Sequence, residues 1–401
     1  MDFRADTQSA VTVILAILYL VLILGIIMYV QNKLTLKNRR CEGLKEKVYP
    51  NLDPFITDLP STQQPLVNFY IKSAYNCCAV GLYKNSFVSL CALNACLGQG
   101  NRCLDFEIYS IDKQPVVAVS SLPDFNIKES YNSIALNKVL AHIAENGFSA
   151  SACPNPGDPL FLNFRIKSDH PEVYDAIASL ISQNLEDRTI GALNPKFGYA
   201  NSGCSDFSCQ PENLFQMEDG PYGQDSGISF ENAKGRVIIM VQGNPSVLQA
   251  SKLYEYTNVE AGGGFLQTLR FTNDIKHSPD PDLLIHTTKR TGVIVLPDLK
   301  ASDANYNFYL GKSYGCQFMC MAVQEFDENL EAYDAFFAEA GHAFVLKPKD
   351  LRLIIQTLPE EEKVPINTLV HAGKDIVVAP GIPLPKGKDG QSLHPLTDDD
   401  N

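Results

Sequence analysis

The sequence predicts an α/β protein built on one parallel sheet or barrel, joined to an N-terminal membrane-spanning helix. From about Pro65 onward, short apolar runs alternate with amphipathic stretches, a pattern that is typical of repeated strand–helix units. The run RVIIMVQG (236–243) is almost wholly apolar, as is usual for a parallel strand buried on both faces. Near the N-terminus, the twenty residues from Val11 to Val30 carry no charge. Both the parallel sheet or barrel and the anchor are therefore expected from apolar patterning.

The apolar run from Val11 to Val30 is long enough, as a helix, to cross the roughly 30 Å hydrocarbon core of a bilayer. A cleaved signal peptide is the competing interpretation, but the run is too long, the preceding segment is not basic and no small-residue cleavage site follows. The positively charged residues that flank the run lie mainly after it, at Lys33, Lys37, Arg39 and Arg40. This asymmetry predicts that the C-terminal part faces the cytosol. The same basic residues could also contact anionic headgroups.

Composition and cysteine usage indicate which binding partners the sequence argues against and where the protein is expected to be located. A net charge of -13 argues against a nucleic-acid surface, because neutralising phosphates requires clustered Lys and Arg. The eleven cysteines are scattered through apolar stretches, so we expect most of them to be reduced core residues. The spacings of Cys204 to Cys209 and of Cys316 to Cys320 lack the two-residue gap and the His partners of a zinc site. Reduced cysteines agree with a cytosolic location.

The domain organisation is predicted as one barrel interrupted by an insertion. The segment 194–232 is rich in Gly, Pro, Ser and acidic residues with little periodicity, which favours a long loop or linker. From Pro380 onward the chain is Pro- and Gly-rich and ends acidic, so we expect it to be extended or disordered. The predicted segments are a short N-terminus (1–10), the transmembrane helix (11–30), a basic juxtamembrane segment and linker (31–64), the first half-barrel (65–193), the insertion (194–232), the second half-barrel (233–355) and the C-terminal extension (356–401).

Six segments in order carry a resemblance to a known family. They are QPLVNFYIKSAYNCC (64–78), RCLDFEIYSIDKQPVVAVSS (102–121), PLFLNFRIKS (159–168), AKGRVIIMVQG (233–243), DANYNFYLGKSYGCQFMCMAVQ (303–324) and GHAFVLKP (341–348). They resemble the X and Y halves of phosphoinositide-specific phospholipase C, over about residues 65–351. The resemblance implies a TIM-type (β/α)8 barrel, the phospholipase C-like phosphodiesterase fold, with functional groups at the C-terminal ends of the strands.

The matched site positions depart from the family pattern. In the family, one His stabilises the phosphate charge, a second acts on the leaving group, and an Asn with three carboxylates holds calcium. Here Tyr75 and Val119 stand at the two His positions, and the first His of the chain is His142, after both motifs. We therefore expect no catalytic residue.

The calcium positions are only partly kept. Asn76 is retained, Asp105 and Glu107 keep carboxylates, and Arg165 stands at the third carboxylate position. A guanidinium repels calcium and would instead pair with Asp105 or Glu107. The retained residues are expected either as a buried polar network that supports packing or as a degenerate metal site.

The phosphate- and inositol-binding positions are also changed. Met240 and Gln242 replace family lysines, and the Arg-x-Tyr-Pro segment reads Ile294, Val295, Leu296, Pro297. The abbreviated site resembles the phospholipase-like proteins of large DNA viruses.

The leading hypothesis is thus a catalytically inactive, membrane-anchored structural or interaction protein without a cofactor. It would have protein partners, and in a virion it would link an internal membrane to a capsid layer. A divergent Ca²⁺-dependent phosphodiesterase using Asp105, Glu107 and Tyr75, and a lipid-binding module without turnover, are the alternatives.

Overall fold

The computed structural model describes residues 3–47, 52–55, 64–122, 127–190, 229–298, 304–353, 371–372 and 375–376. The chain divides into two units, Met1–Ile354 and Ile355–Asn401. In the second unit, His371–Ala372 pairs antiparallel with Asp375–Ile376. The predicted insertion lies outside the described residues except for 229–232, and the tail from Pro380 lies wholly outside them.

Eight parallel strands form a nearly closed barrel in the first unit. The strands of this unit are β1 Phe69–Ala74, β2 Cys103–Ile111, β3 Gln114–Ala118, β4 Ile134–Ala135, β5 Leu160–Lys167, β6 Val237–Gln242, β7 Val259–Glu260, β8 Leu266–Arg270, β9 Gly292–Leu296, β10 Phe318–Met321 and β11 Phe344–Leu346. Neighbours follow the order β7-β6-β5-β2-β1-β10-β9-β8. The three other strands are antiparallel additions, with β3 on β2, β4 on β3 and β11 on β1. The predicted TIM-type fold is confirmed.

Helices alternate with the barrel strands. They are α1 Phe3–Lys45, α2 Leu90–Gly98, α3 Leu136–Asn146, α4 Pro171–Leu185, α5 Phe230–Ala233, α6 Pro245–Ala250, α7 Pro281–Arg290, α8 Phe308–Ser313 and α9 Glu328–Ala340. Helix α9 shows how local sequence sets the boundaries. The Asp327 side chain accepts a hydrogen bond from the Leu330 amide at 2.9 Å, and Gly341 ends the helix with a φ of 75°, a conformation that glycine adopts without steric cost.

Most of the barrel strands are buried, because helices cover their outer faces and side chains fill the interior. All residues of β6 from Val237 to Val241 are buried, as expected for a parallel strand. Phe161 of β5 and Phe318 of β10 place their ring centroids 5.0 Å apart. Polar side chains interrupt this apolar filling where β1 ends and at the central residues of β2 and β5.

Helix α1 extends well beyond the predicted span. Residues 11–45 include an 18-residue window of mean hydropathy 3.1, none of which is buried, so α1 is long and apolar enough to cross a membrane. The helix continues through the basic segment to Lys45, because residues 31–42 contain no Gly or Pro and are mostly good helix formers. Its final turns lie against the barrel, where Leu44 is buried.

Seven described cysteines are buried free thiols, as predicted for most of them: Cys77, Cys78, Cys96, Cys103, Cys153, Cys316 and Cys320. Cys41 and Cys91 differ from that prediction, because they form a disulfide with a Cα–Cα distance of 5.7 Å. Docking of α1 on α2 brings the two residues together, and this contact is not visible in the sequence. Cys204 and Cys209 lie outside the described residues.

Candidate functional site

The candidate site lies where β1 ends, beside the central residues of β2 and β5. Strand alternation places Asp105 and Glu107 on the same face of β2. In the parallel pairing of β2 with β5, Asp105 lies opposite Asn163 and Glu107 lies opposite Arg165. The turn after β1 contributes Asn76. All five residues are buried.

The Arg165 guanidinium is the centre of the site. Its Nε donates to Asp105 Oδ1 at 2.8 Å, and its Nη2 donates to Asp105 Oδ2 at 2.7 Å. Its Nη1 donates to Glu107 Oε1 at 2.7 Å, and Nη2 also donates to Asn76 Oδ1 at 2.9 Å. Bidentate pairing of this kind is the strongest arginine–carboxylate geometry. Arg165 therefore pairs with both retained carboxylates and with the retained amide.

The carboxylate oxygens are also held from the other side. Asp105 Oδ2 accepts a hydrogen bond from the backbone N–H of Asn76 at 3.1 Å, and Asp105 Oδ1 accepts one from Asn163 Nδ2 at 2.8 Å. Glu107 Oε2 accepts the Tyr109 hydroxyl at 2.8 Å and the Ser120 amide at 3.0 Å. Each of the four oxygens thus accepts at least one hydrogen bond from protein.

Backbone geometry at Asn76 serves the same network. Its φ is 46°, in the left-handed region that asparagine enters more readily than most residues. This conformation directs the backbone N–H of Asn76 to Asp105, while the Asn76 side-chain oxygen accepts a hydrogen bond from Arg165. Local strain is therefore compensated by two contacts to the charged residues.

The electrostatics favour a permanently charged guanidinium. Burial acts to lower the pKa of Arg165, but the charge of Asp105, together with Tyr75 and Glu107, outweighs it and raises the pKa well above its ordinary value. The guanidinium carbon lies 4.8 Å from the centroid of the Tyr75 ring. Burial raises the pKa of the Tyr75 hydroxyl, so this group stays protonated near neutral pH.

The two positions that carry histidines in the resembled family lack a group that titrates near neutrality. Tyr75 is buried with its ring edge-on to Tyr83, at a centroid distance of 5.4 Å. Val119 is buried and apolar, and its carbonyl accepts the amides of Glu129 and Ser130. General acid–base catalysis at neutral pH needs a group whose pKa lies near the operating pH.

The remaining predicted positions are neutral or apolar. Met240 pairs with Asn163 and Gln242 pairs with Arg165 in the register of β5 with β6. Ile294, Val295 and Leu296 form the buried core of β9.

Sequence reasoning missed two cations at the same end of the barrel, Lys167 and Arg270. Burial, and next the charge of Arg165, lowers the pKa of Lys167, and Arg270 contributes in the same direction. Lys167 follows Arg165 by two residues on β5, so strand alternation could have identified it. Arg270 ends β8, which has only one buried residue and a weak sequence signal.

The donor set does not fit a calcium ion. Calcium requires six to eight oxygen ligands, whereas the oxygens of Asp105, Glu107 and Asn76 accept hydrogen bonds from a guanidinium. Within the described part of the chain, no group of three or more His, Cys, Asp or Glu residues is placed to hold a metal.

No sequence model of a known protein family matches this chain, and no curated protein sequence matches it. Solved structures do match. L. pealei PLC21 and S. officinalis PLC21 each align with a TM-score of 0.55 at 13% identity, over 73% of this chain and 38% of theirs. A calcium-dependent phosphoinositol-specific phospholipase C from Pseudomonas aligns with a TM-score of 0.44 at 12% identity, over 75% of this chain and 100% of that one. The chain thus spans about two fifths of the PLC21 proteins, and what it shares with them is the barrel fold.

Proposed function

We propose that this protein is a membrane-anchored, phospholipase C-like barrel that does not cleave phosphodiesters and acts as a structural or interaction protein. The observation that carries the proposal is the Arg165 guanidinium, bonded at once to Asp105, Glu107 and Asn76. A buried cation supplied by the chain stands among the carboxylates that a catalytic divalent ion would need.

The acid–base side of the chemistry supports the same proposal. Tyr75 and Val119 stand where the resembled family has its two histidines, and neither can exchange a proton readily at neutral pH. His142 lies on α3 and bonds to Asn94, and His170 precedes α4. Neither His contacts the Arg165 network.

A cleavage assay tests the proposal. The full chain, reconstituted in vesicles containing phosphatidylinositol, is incubated with and without calcium, and released inositol phosphate is measured. We expect no release above a protein-free control. Calcium-dependent release that is lost in Asp105→Asn and Glu107→Gln would overturn the proposal and favour the divergent phosphodiesterase.

The anchor is proposed to place the barrel on the cytosolic face. Four basic residues between Lys33 and Arg40 support this orientation. The Cys41–Cys91 disulfide points the other way, because structural disulfides are most common in oxidising compartments. Protease treatment of sealed membranes decides: degradation of the barrel from the cytosolic side supports the proposal, and full protection contradicts it.

A more specific proposal is a location in a virion, with the barrel between an internal membrane and a capsid layer. It rests on the resemblance of the abbreviated site to the phospholipase-like proteins of large DNA viruses, together with the N-terminal anchor. Detection of the protein in purified particles would support this location, and its absence from them would remove it.

A further inference from the structure

Helix α1 is fastened to the barrel rather than joined through a free linker. Cys41 is bonded to Cys91 of α2, and Arg40 Nη1 donates to Ser86 Oγ at 3.5 Å. A Cβ atom built on Gly81 would overlap the Arg40 guanidinium, so a larger residue at this position would require the Arg40 side chain to move. Because α1 is one continuous helix from Phe3 to Lys45, a barrel fastened to its C-terminal part has a defined orientation relative to its apolar part.

The contact nearest the apolar run involves Lys33. Its ammonium lies 5.7 Å from the ring centroid of Tyr29 and 5.5 Å from that of Tyr131. Tyr29 belongs to the apolar run, and Tyr131 belongs to the barrel. Lys33 follows Val30 by three residues, about 4.5 Å along a helix. Tyr131 therefore lies beside α1 where the apolar segment ends.

The headgroup layer on each side of a bilayer is roughly 5–8 Å thick. The rise of about 4.5 Å from Val30 to Lys33 is smaller than this thickness, so Lys33 falls within the headgroup layer. Two apolar side chains of the segment that contains Tyr131 are exposed, Ile127 at 55% and Tyr131 at 46%. Tyr131 is backed by Phe87, with 5.1 Å between the ring centroids. Lys128 lies in the same segment and donates to the Ser130 carbonyl at 2.8 Å. Aromatic, aliphatic and basic side chains together are typical of the membrane interface.

A second exposed aromatic residue of the barrel lies much farther from the apolar run. Phe326, 43% exposed, sits under Lys47, whose ammonium is 3.0 Å from the ring centroid. Lys47 follows Lys45, the last residue of α1, and Lys45 lies roughly 18 Å farther along the helix axis than Lys33. Two points of the barrel are thus held at different distances from the end of the apolar run.

We propose that residues 127–131, here called the interfacial loop, lie in the headgroup layer of the membrane that α1 crosses, and that the Phe326 side of the barrel is held away from it. The barrel is then tilted relative to the bilayer, with the interfacial loop at the membrane surface and Phe326 away from it. This inference rests on the proposed anchor. The proposed partner of this loop is lipid, because Tyr131 lies beside Lys33, which is about 4.5 Å from Val30 along the helix axis and so within one headgroup layer.

The chain contains no tryptophan, so a single introduced tryptophan reports its own depth. We compare Ile127→Trp with Phe326→Trp, a matched exposed apolar site, in the full chain reconstituted in vesicles of phosphatidylcholine and phosphatidylserine with brominated acyl chains. Circular dichroism checks folding, and Tyr131→Trp provides a second reporter of the loop. We expect emission from Ile127→Trp to shift to shorter wavelength and to be quenched by brominated lipid, and emission from Phe326→Trp to change in neither respect.

Quenching of both Ile127→Trp and Phe326→Trp would show that both sites contact the bilayer, and this result would overturn the proposed tilt. Absence of quenching at 127 and 131, in protein that floats with the vesicles, would overturn the inference while leaving the anchor intact. Failure to float would remove the anchor itself and the inference with it. The cleavage assay is independent of all three outcomes.

Discussion

At the scale of single residues, Arg165 pairs with the two buried carboxylates of the candidate site. It is 2% exposed, and the two carboxylates it bonds are at most 1% exposed. Burying three charged groups is costly unless each is compensated. The hydrogen bonds from Asn76, Asn163, Tyr109 and Ser120 provide that compensation, so Arg165, Asp105 and Glu107 form a hydrogen-bonded, buried ion-pair network.

Arg165→Ala should strongly destabilise the fold. Without the guanidinium, Asp105 and Glu107 remain buried without their counter-charge, and we expect a loss of about 3–5 kcal/mol in the free energy of unfolding. Urea denaturation followed by circular dichroism measures it. Lys113→Ala is the matched control, because it removes an exposed ion pair with Glu172 and should change stability little. Equal effects of the two substitutions would contradict this account.

Lys347 supplies a prediction about pH. The side chain is buried, and desolvation lowers its pKa from 10.5 to about 7. Between these values the unfolded chain binds a proton that the folded chain lacks, so this group makes stability rise with pH, by up to about 1.4 kcal/mol per pH unit. Lys347→Met should remove that contribution. The measurement is the difference in unfolding free energy between variant and wild type from pH 7 to 10, and a constant difference across the range would refute the assignment.

At the scale of elements, the contact between α1 and α2 is the least expected feature. The disulfide closes a sequence separation of 50 residues, and closing a loop of that length stabilises a fold by about 4 kcal/mol in the chain-entropy description. The two helices are therefore coupled covalently as well as through the buried Leu44.

The double variant Cys41→Ser, Cys91→Ser should melt at a lower temperature than the oxidised wild type. Reduction with dithiothreitol should lower the melting temperature of the wild type toward that of the variant and leave the variant unchanged. A wild-type melting curve that does not respond to the reductant would show that the two thiols are not bonded in solution.

The strand that apolar patterning predicted most directly is β6, whose sequence VIIMVQ is almost wholly apolar. Strand β8 was missed because its residues, LQTLR, are mostly half-buried and include Gln, Thr and Arg. The helical continuation of α1 to Lys45 was also missed, because a basic segment after a membrane span carries no signal of what it packs against. Long-range docking is not encoded in local periodicity.

In the site, the proximity of Asp105, Glu107 and Arg165 could be expected from strand alternation together with the family resemblance. The bidentate geometry could not, because it depends on the register between β2 and β5. Arg270 could not be placed without recognising β8. The prediction that the retained residues form a buried polar network and the prediction that they form a degenerate metal site both remain predictions until calcium binding is measured.

At the scale of the whole molecule, the apolar part of α1 is the proposed membrane anchor. Leu20→Arg places a charge at the centre of the apolar run, at a cost of about 3 kcal/mol for membrane insertion. We expect a smaller fraction to stay in the membrane pellet after alkaline carbonate extraction. Leu34→Arg is the control, because Leu34 is exposed on the same helix but lies beyond the run, and it should behave as wild type. Equal retention of both variants would argue against a membrane span.

Calcium binding by the intact protein tests the central claim most directly. Isothermal titration calorimetry of the full chain in detergent micelles compares the wild type with Asp105→Asn. Because the Arg165 guanidinium occupies the carboxylates, the account predicts only heats of dilution for both proteins. Saturable one-to-one binding by the wild type that disappears in Asp105→Asn would mean that calcium displaces Arg165, and would contradict the account.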